Sequence, residues 1–190
     1  MKNKTTLIIG GCRSGKSSHA LEIANHITGS KKIFIATSVP TDHEMEKRVT
    51  KHKTERGESW QTAEVPVKIS EKIEKLSKQA DVILVDCLTL WVSNLLFNNF
   101  KEDEIFQRVE VLRKSLENSA CPVILVSNEV GAGIVPENKL ARQFRDIAGF
   151  VNQKIAATVD SVIWTVAGIP VTIKGKGHGN FHAPAVPVIF

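Results

Sequence analysis

A chain of 190 residues that is 42% hydrophobic and 24% charged has the size and composition of one globular domain with a sizeable core. Its net charge of +5 comes from Lys and Arg spread along the chain, not from a basic tract, which argues against a nucleic-acid partner and fits small polyphosphates. The three cysteines, Cys12, Cys87 and Cys121, are an odd number with no metal-ligand spacing, which argues against a disulfide framework or a zinc site and fits a reducing cytoplasm.

The first apolar run, residues 6–9, reads as a buried strand. It is too short for a signal-peptide core, and no later run is long enough to span a bilayer, so membrane insertion is not expected. Directly after it stand Gly10, Gly11, Cys12, Arg13, Ser14, Gly15, Lys16 and Ser17, which fit G-x-x-x-x-G-K-[ST], and a helical pattern over 17–27 follows, with Gly29 as its expected C-cap. A strand feeding a helix through this loop is the arrangement that cradles phosphates. Glycines let backbone N–H groups approach, the helix offers its positive end, and Lys16 reaches the β- and γ-phosphates. Ser17 would hold Mg2+.

A second strand is predicted over 32–36, leading into Ala36, Thr37 and Ser38. Beyond it a charged segment places Arg48, His52 and Arg56 at i, i+4 spacing, on one face of a helix if one forms. Two readings stay open: an imidazole kept neutral between guanidiniums that hold a polyphosphate, or a solvated charged face. His43-Glu44 begins a zincin-like pattern, but Lys47 occupies the place of the second His, so a zinc protease is excluded.

The run 82–85 followed by Asp86 has the Walker B form, an apolar strand ending in a carboxylate that would stand beside the phosphate loop as a magnesium ligand. Further strands are predicted over 123–126, 162–166 and 171–173. Ile105, Phe106, Val109, Leu112 and Leu116 trace one helical face, and Leu140, Phe144, Ile147, Val151 and Ile155 trace another. Glu129, just past a strand end, is read either as orienting substrate or water or as a cap. Strands alternating with helices imply an α/β, P-loop NTPase-like fold, mostly parallel with helices on both faces, in a single domain over 1–174. The stretch 175–190 loses periodicity and is expected to be an irregular surface tail.

These motifs occur in a specific order. After the phosphate loop and Ala36-Thr37-Ser38 come His52-Lys53, Arg56, Trp60 and Thr62-Ala63-Glu64. Then follow Asp86-Cys87-Leu88-Thr89, Asn94-Leu95-Leu96, Ser127-Asn128-Glu129-Val130-Gly131 and Gly133-Ile134-Val135-Pro136. The series closes with Leu140-Ala141-Arg142, Phe144-Arg145-Asp146, Ala148-Gly149, Asn152-Gln153 and Gly168-Ile169-Pro170. Over nearly the whole chain to about Lys174 this resembles the bifunctional adenosylcobinamide kinase and adenosylcobinamide-phosphate guanylyltransferase family.

The resemblance implies an enzyme of adenosylcobalamin assembly that phosphorylates adenosylcobinamide with ATP or GTP and then adds GMP from GTP through a GMP-histidine intermediate on His52. It also implies nucleotide contacts at Gly10 to Ser17, Ala36, Thr37, Ser38, Lys53, Thr54, Glu55, Arg56, Glu64 and Asp86, and a homotrimer with the site near a subunit boundary. This sequence departs from the family pattern at Cys12, where Ala is common, and at Lys51, where many relatives carry a second histidine. The rival readings are a P-loop kinase for another small molecule, which would not need His52, and a regulatory switch, against which the lack of an N-K-x-D tetrapeptide counts.

Overall fold

The computed structural model of the chain describes residues 5–39 and 59–175. Among the described residues, seven strands form one sheet in the order β3-β2-β4-β5-β1-β6-β7. In chain order these are β1 (Thr5–Gly10), β2 (Lys32–Ala36), β3 (Trp60–Glu64), β4 (Val82–Asp86), β5 (Val123–Asn128), β6 (Ser161–Val166) and β7 (Ile169–Lys174). Every neighbouring pair is parallel except β6 and β7, which form an antiparallel hairpin. The central strands β1, β4 and β5 are apolar at consecutive positions because both of their faces are covered, as parallel crossover architecture requires.

Helix α1 (Lys16–His26) packs alone on one face among the described residues, where Ala20 and Ala24 meet Ile8, Phe34, Leu84, Ile124 and Ile163. Its small contact residues bring the helix close to the sheet. The other face carries α2 (Ile69–Ser77), α3 (Leu88–Phe97), α4 (Glu102–Glu117) and α5 (Lys139–Thr158). They enclose a core that includes Leu7, Ile35, Val85, Trp91, Leu95, Leu112 and Ile155. Helix boundaries follow local chemistry. At α4 the Lys101 N–H donates to Glu104 Oε2 at 2.7 Å, and at α5 Asn138 Oδ1 accepts from the Ala141 N–H at 3.1 Å.

The mostly parallel sheet with helices on both faces is the architecture expected from the sequence. Three local readings are corrected. Trp60–Glu64 is an edge strand that the periodicity did not reveal, and β7 extends beyond 171–173 at both ends. Helix α1 stops at His26 with Ile27 as its C-cap, so Gly29 does not cap it. Gly29 instead has φ 123° in the turn to β2, and a Cβ there would collide with the Asp81 carboxylate, which accepts from the Lys31 N–H at 2.8 Å.

Candidate active site

The parallel strands deliver their carboxyl ends to one edge, where ligands bind in open α/β sheets. In register across that edge, Glu64 of β3 lies opposite Ala36 of β2, and Ala36 lies opposite Asp86 of β4. Gly10 of β1 lies opposite Asn128 of β5. Among the described residues, the predicted nucleotide contacts of four separate segments, Gly10 to Ser17, Ala36 to Ser38, Glu64 and Asp86, therefore reach the same side of the sheet.

The phosphate loop leaves β1 at Gly10. A side chain there is excluded, since a Cβ would stand 2.5 Å from both Ser14 Oγ and the Thr165 carbonyl oxygen. Gly15 has φ 91°, a left-handed conformation that L side chains resist, and it forms the N-cap of α1. Among the described residues no side-chain hydrogen bond caps α1, and its first turn carries no acidic residue, so its positive end suits an anion. Cys12, Arg13 and Gly15 are exposed, whereas Ser14 and Lys16 are buried. The Lys16 ammonium donates to the Gly11 carbonyl at 3.0 Å, which lays it across the loop. Such a site offers the N–H groups of a helix start and one cation to an anion, the chemistry of polyphosphate binding.

Thr37, fully buried, ties the end of β2 to the end of β4. Its hydroxyl donates to the Cys87 carbonyl and accepts from the Cys87 N–H, both at 2.8 Å. The Thr37 N–H donates to the Asp86 carbonyl at 3.2 Å, and Asn94 Nδ2 donates to the Thr37 carbonyl at 2.7 Å. Asp86 is thus held by its backbone at the carboxyl edge. Burial first, and then the neighbouring Asp86 charge, push the Cys87 thiol up to about 12, while the Lys16 ammonium partly offsets this. Asp86, Cys87 and Lys16 therefore share one electrostatic neighbourhood.

A hydroxyl from Ser17 and a carboxylate from Asp86 are hard oxygen donors that suit Mg2+. Among the described residues no group of three His, Cys, Asp or Glu side chains could hold a metal alone. His52, Lys53, Thr54, Glu55 and Arg56 lie outside the described residues, as do Arg48 and His43.

Sequence reasoning missed the network behind the edge. The Asn128 N–H donates to Thr89 Oγ1 at 2.7 Å, Ser127 Oγ donates to Asn152 Oδ1 at 2.7 Å, and Asn152 Nδ2 donates to the Asn128 carbonyl at 3.1 Å. Thr89 and Ser127 hydroxyls are 3.3 Å apart; because Ser127 gives its proton to Asn152, Thr89 is the donor between them. Three of the quoted motif fragments thus converge on the end of β5. Their scattered polar residues, beside otherwise apolar runs, were the available signal. Glu129 Oε1 accepts from the Gly131 N–H at 2.7 Å, and the Glu129 N–H donates to the Gly10 carbonyl at 3.0 Å.

Residues 6–173 match the family described as cobinamide kinase / cobinamide phosphate guanyltransferase. The chain is 41% identical over 180 residues to the bifunctional adenosylcobalamin biosynthesis protein CobU of Salmonella typhimurium, covering 88% of this chain and 98% of that protein. It is 40% identical over 180 residues to the protein of the same name from Escherichia coli, with the same coverage of each. The bifunctional adenosylcobalamin biosynthesis protein CobP of Pseudomonas aeruginosa is 39% identical over 170 residues, covering 90% of this chain and 97% of that one. Among solved structures, a KaiC-like protein of Pyrococcus horikoshii superposes with a TM-score of 0.50 at 15% identity, covering 85% of this chain and 70% of that chain, which bears on the fold alone. With the family match spanning almost all of the chain and the phosphate loop built as the sequence requires, the chain belongs to the cobinamide kinase / cobinamide phosphate guanyltransferase family.

Proposed function

We propose that the chain performs both reactions of its family on one corrinoid. In the first, the hydroxyl of adenosylcobinamide's aminopropanol arm attacks the γ-phosphorus of ATP or GTP. The nucleoside diphosphate leaves, and the hydroxyl proton passes to solvent or base. The loop amides of Gly11 to Ser17 and the Lys16 ammonium bind the β- and γ-oxygens and stabilise the charge that builds on them. Ser17 and Asp86 would hold Mg2+, which supplies further charge neutralisation when bound. The observation that carries this reading is the convergence of Gly10 to Ser17, Thr37 and Asp86 on one sheet edge in a chain of this family.

In the second reaction the His52 imidazole attacks the α-phosphorus of GTP and pyrophosphate leaves, so that a phosphorus–nitrogen bond forms as a phosphorus–oxygen bond breaks. A phosphate oxygen of adenosylcobinamide phosphate then displaces the imidazole to give adenosylcobinamide-GDP. Dividing the transfer in two replaces one hard displacement by two easier ones. Arg48, Lys53, Thr54, Glu55 and Arg56 would bind phosphate and nucleotide around His52, with Ala36, Thr37, Ser38 and Glu64 completing the nucleotide contacts. A homotrimer in a reducing cytoplasm, with the site near a subunit boundary, completes the proposal. It is tested by incubating the chain with adenosylcobinamide, Mg2+ and each nucleotide in turn and separating products by mass. Corrinoid products heavier by one phosphate and then by one GMP unit support it; nucleotide hydrolysis with unchanged corrinoid contradicts it.

A further inference from the structure

Two backbone N–H groups from outside the phosphate loop hold its carbonyls. Glu129 donates to the Gly10 carbonyl at 3.0 Å, and Gly168 donates to the Ser14 carbonyl at 3.0 Å. Gly168 belongs to the two-residue turn of the β6–β7 hairpin, in which Val166 pairs with Ile169. Ala167 has φ 50° and Gly168 φ 81°, the pair of left-handed residues that a type I′ hairpin turn demands. The same turn limits the space beside Gly15, where an added Cβ would meet Gly168 Cα at 3.4 Å.

A trans peptide points its C=O and the following N–H in opposite directions. When the hairpin holds the Ser14 carbonyl on one side of the loop, the Gly15 N–H is turned to the other. We infer that Gly168 is a positioning residue for the nucleotide reactions: its amide fixes the Ser14–Gly15 peptide so that the Gly15 N–H faces the bound polyphosphate. The hairpin turn thereby serves as the outer brace of the phosphate loop, opposite the Glu129 brace. Left unheld, the flexible Gly15 could rotate this peptide and aim a carbonyl at the anion. The inference rests on the reading of Gly10 to Ser17 as a polyphosphate site.

The test compares the full-length wild-type chain with two variants, using titration calorimetry with Mg·GTP and with GMP. In Gly168→Ala the new Cβ meets nothing within 4 Å, so the perturbation is conformational, an L residue forced to φ 81°. In the second variant an amide-to-ester exchange at residue 168 removes the N–H donor while adding no side chain. Lys174→Ala serves as a control that loosens the far end of the hairpin, where Lys174 Nζ donates to the Ala156 and Ala157 carbonyls. All titrations are run below the melting temperature of each chain. Both variants should lose roughly fivefold or more in Mg·GTP affinity while GMP affinity changes little, and Lys174→Ala should lower the melting temperature without moving either affinity. An ester chain that binds Mg·GTP within about twofold of wild type would overturn the inference, as would equal losses for GTP and GMP. If the wild-type chain itself fails to bind Mg·GTP, the polyphosphate reading falls, and this inference with it.

Discussion

Thr37→Val exchanges a hydroxyl for a methyl of nearly the same shape at a fully buried position, so its effect reads the hydrogen bonds and little else. The Cys87 carbonyl keeps a second donor, the Trp91 N–H at 3.1 Å, and loses only one of two bonds. The Cys87 N–H loses the Thr37 oxygen that accepts it. An unsatisfied buried N–H costs about 1–3 kcal/mol, and the other lost bond adds about 1 kcal/mol, for a total of about 2–4 kcal/mol. With a urea m value of about 2 kcal/mol/M, the unfolding midpoint should fall by about 1–2 M at unchanged m. Thr37→Ser keeps the hydroxyl and should recover most of the loss. Equilibrium urea unfolding of the three chains is the assay. A Thr37→Val loss below about 0.5 kcal/mol, or a Ser variant as weak as the Val variant, would refute the claim that this hydroxyl locks β2 to the end of β4.

Lys16→Ala should reduce kinase turnover at least about a hundredfold, and turnover near wild type would remove Lys16 from the phosphate site. Asp86→Asn should raise the Mg2+ concentration needed for half-maximal rate, whereas an unchanged value would leave Asp86 as no more than a strand end. Burial raises the Cys87 thiol to about 12 and the Cys121 thiol to about 11, from an ordinary 9.0, while Cys12 is exposed. Iodoacetamide at pH 8 should therefore modify Cys12 in the folded chain and spare the other two until unfolding; labelling of Cys87 as fast as Cys12 contradicts this. Because both folded-state values are raised, their contribution to stability is complete below pH 9 and is lost as pH rises through about 11 and 12.

What the sequence revealed depended on how strongly burial imprints a period. The apolar runs of β1, β4 and β5 are covered on both faces, and the stripe from Ile105 to Leu116 in α4 faces one core, so these elements were legible. Trp60–Glu64 buries only Trp60 fully because it is an edge strand, and its mixed composition gave no run to detect. Helix α3 is apolar on nearly every side, with Leu88, Trp91, Val92 and Leu95 all buried, which erases the stripe that marks an amphipathic helix. At the site, Gly10 to Ser17 and Asp86 were legible because their chemistry is local in sequence. The Thr37–Cys87 bridge and the Gly168–Ser14 contact were not, since they join residues 50 and 154 positions apart that only the sheet order brings together.

A covalent nucleotide on His52 would separate this chain from any plain P-loop kinase. The most direct measurement is intact-protein mass after incubation with GTP and Mg2+, repeated with His52→Ala and followed by acid and base treatment of the product. The wild-type chain should gain one GMP, lost in acid and retained in base, because protonation makes the bonded imidazole a good leaving group. His52→Ala should gain none yet still phosphorylate adenosylcobinamide, since γ-phosphoryl transfer uses the phosphate loop and not this nucleophile. An adduct that persists in His52→Ala, or that maps to His43, would contradict the assignment.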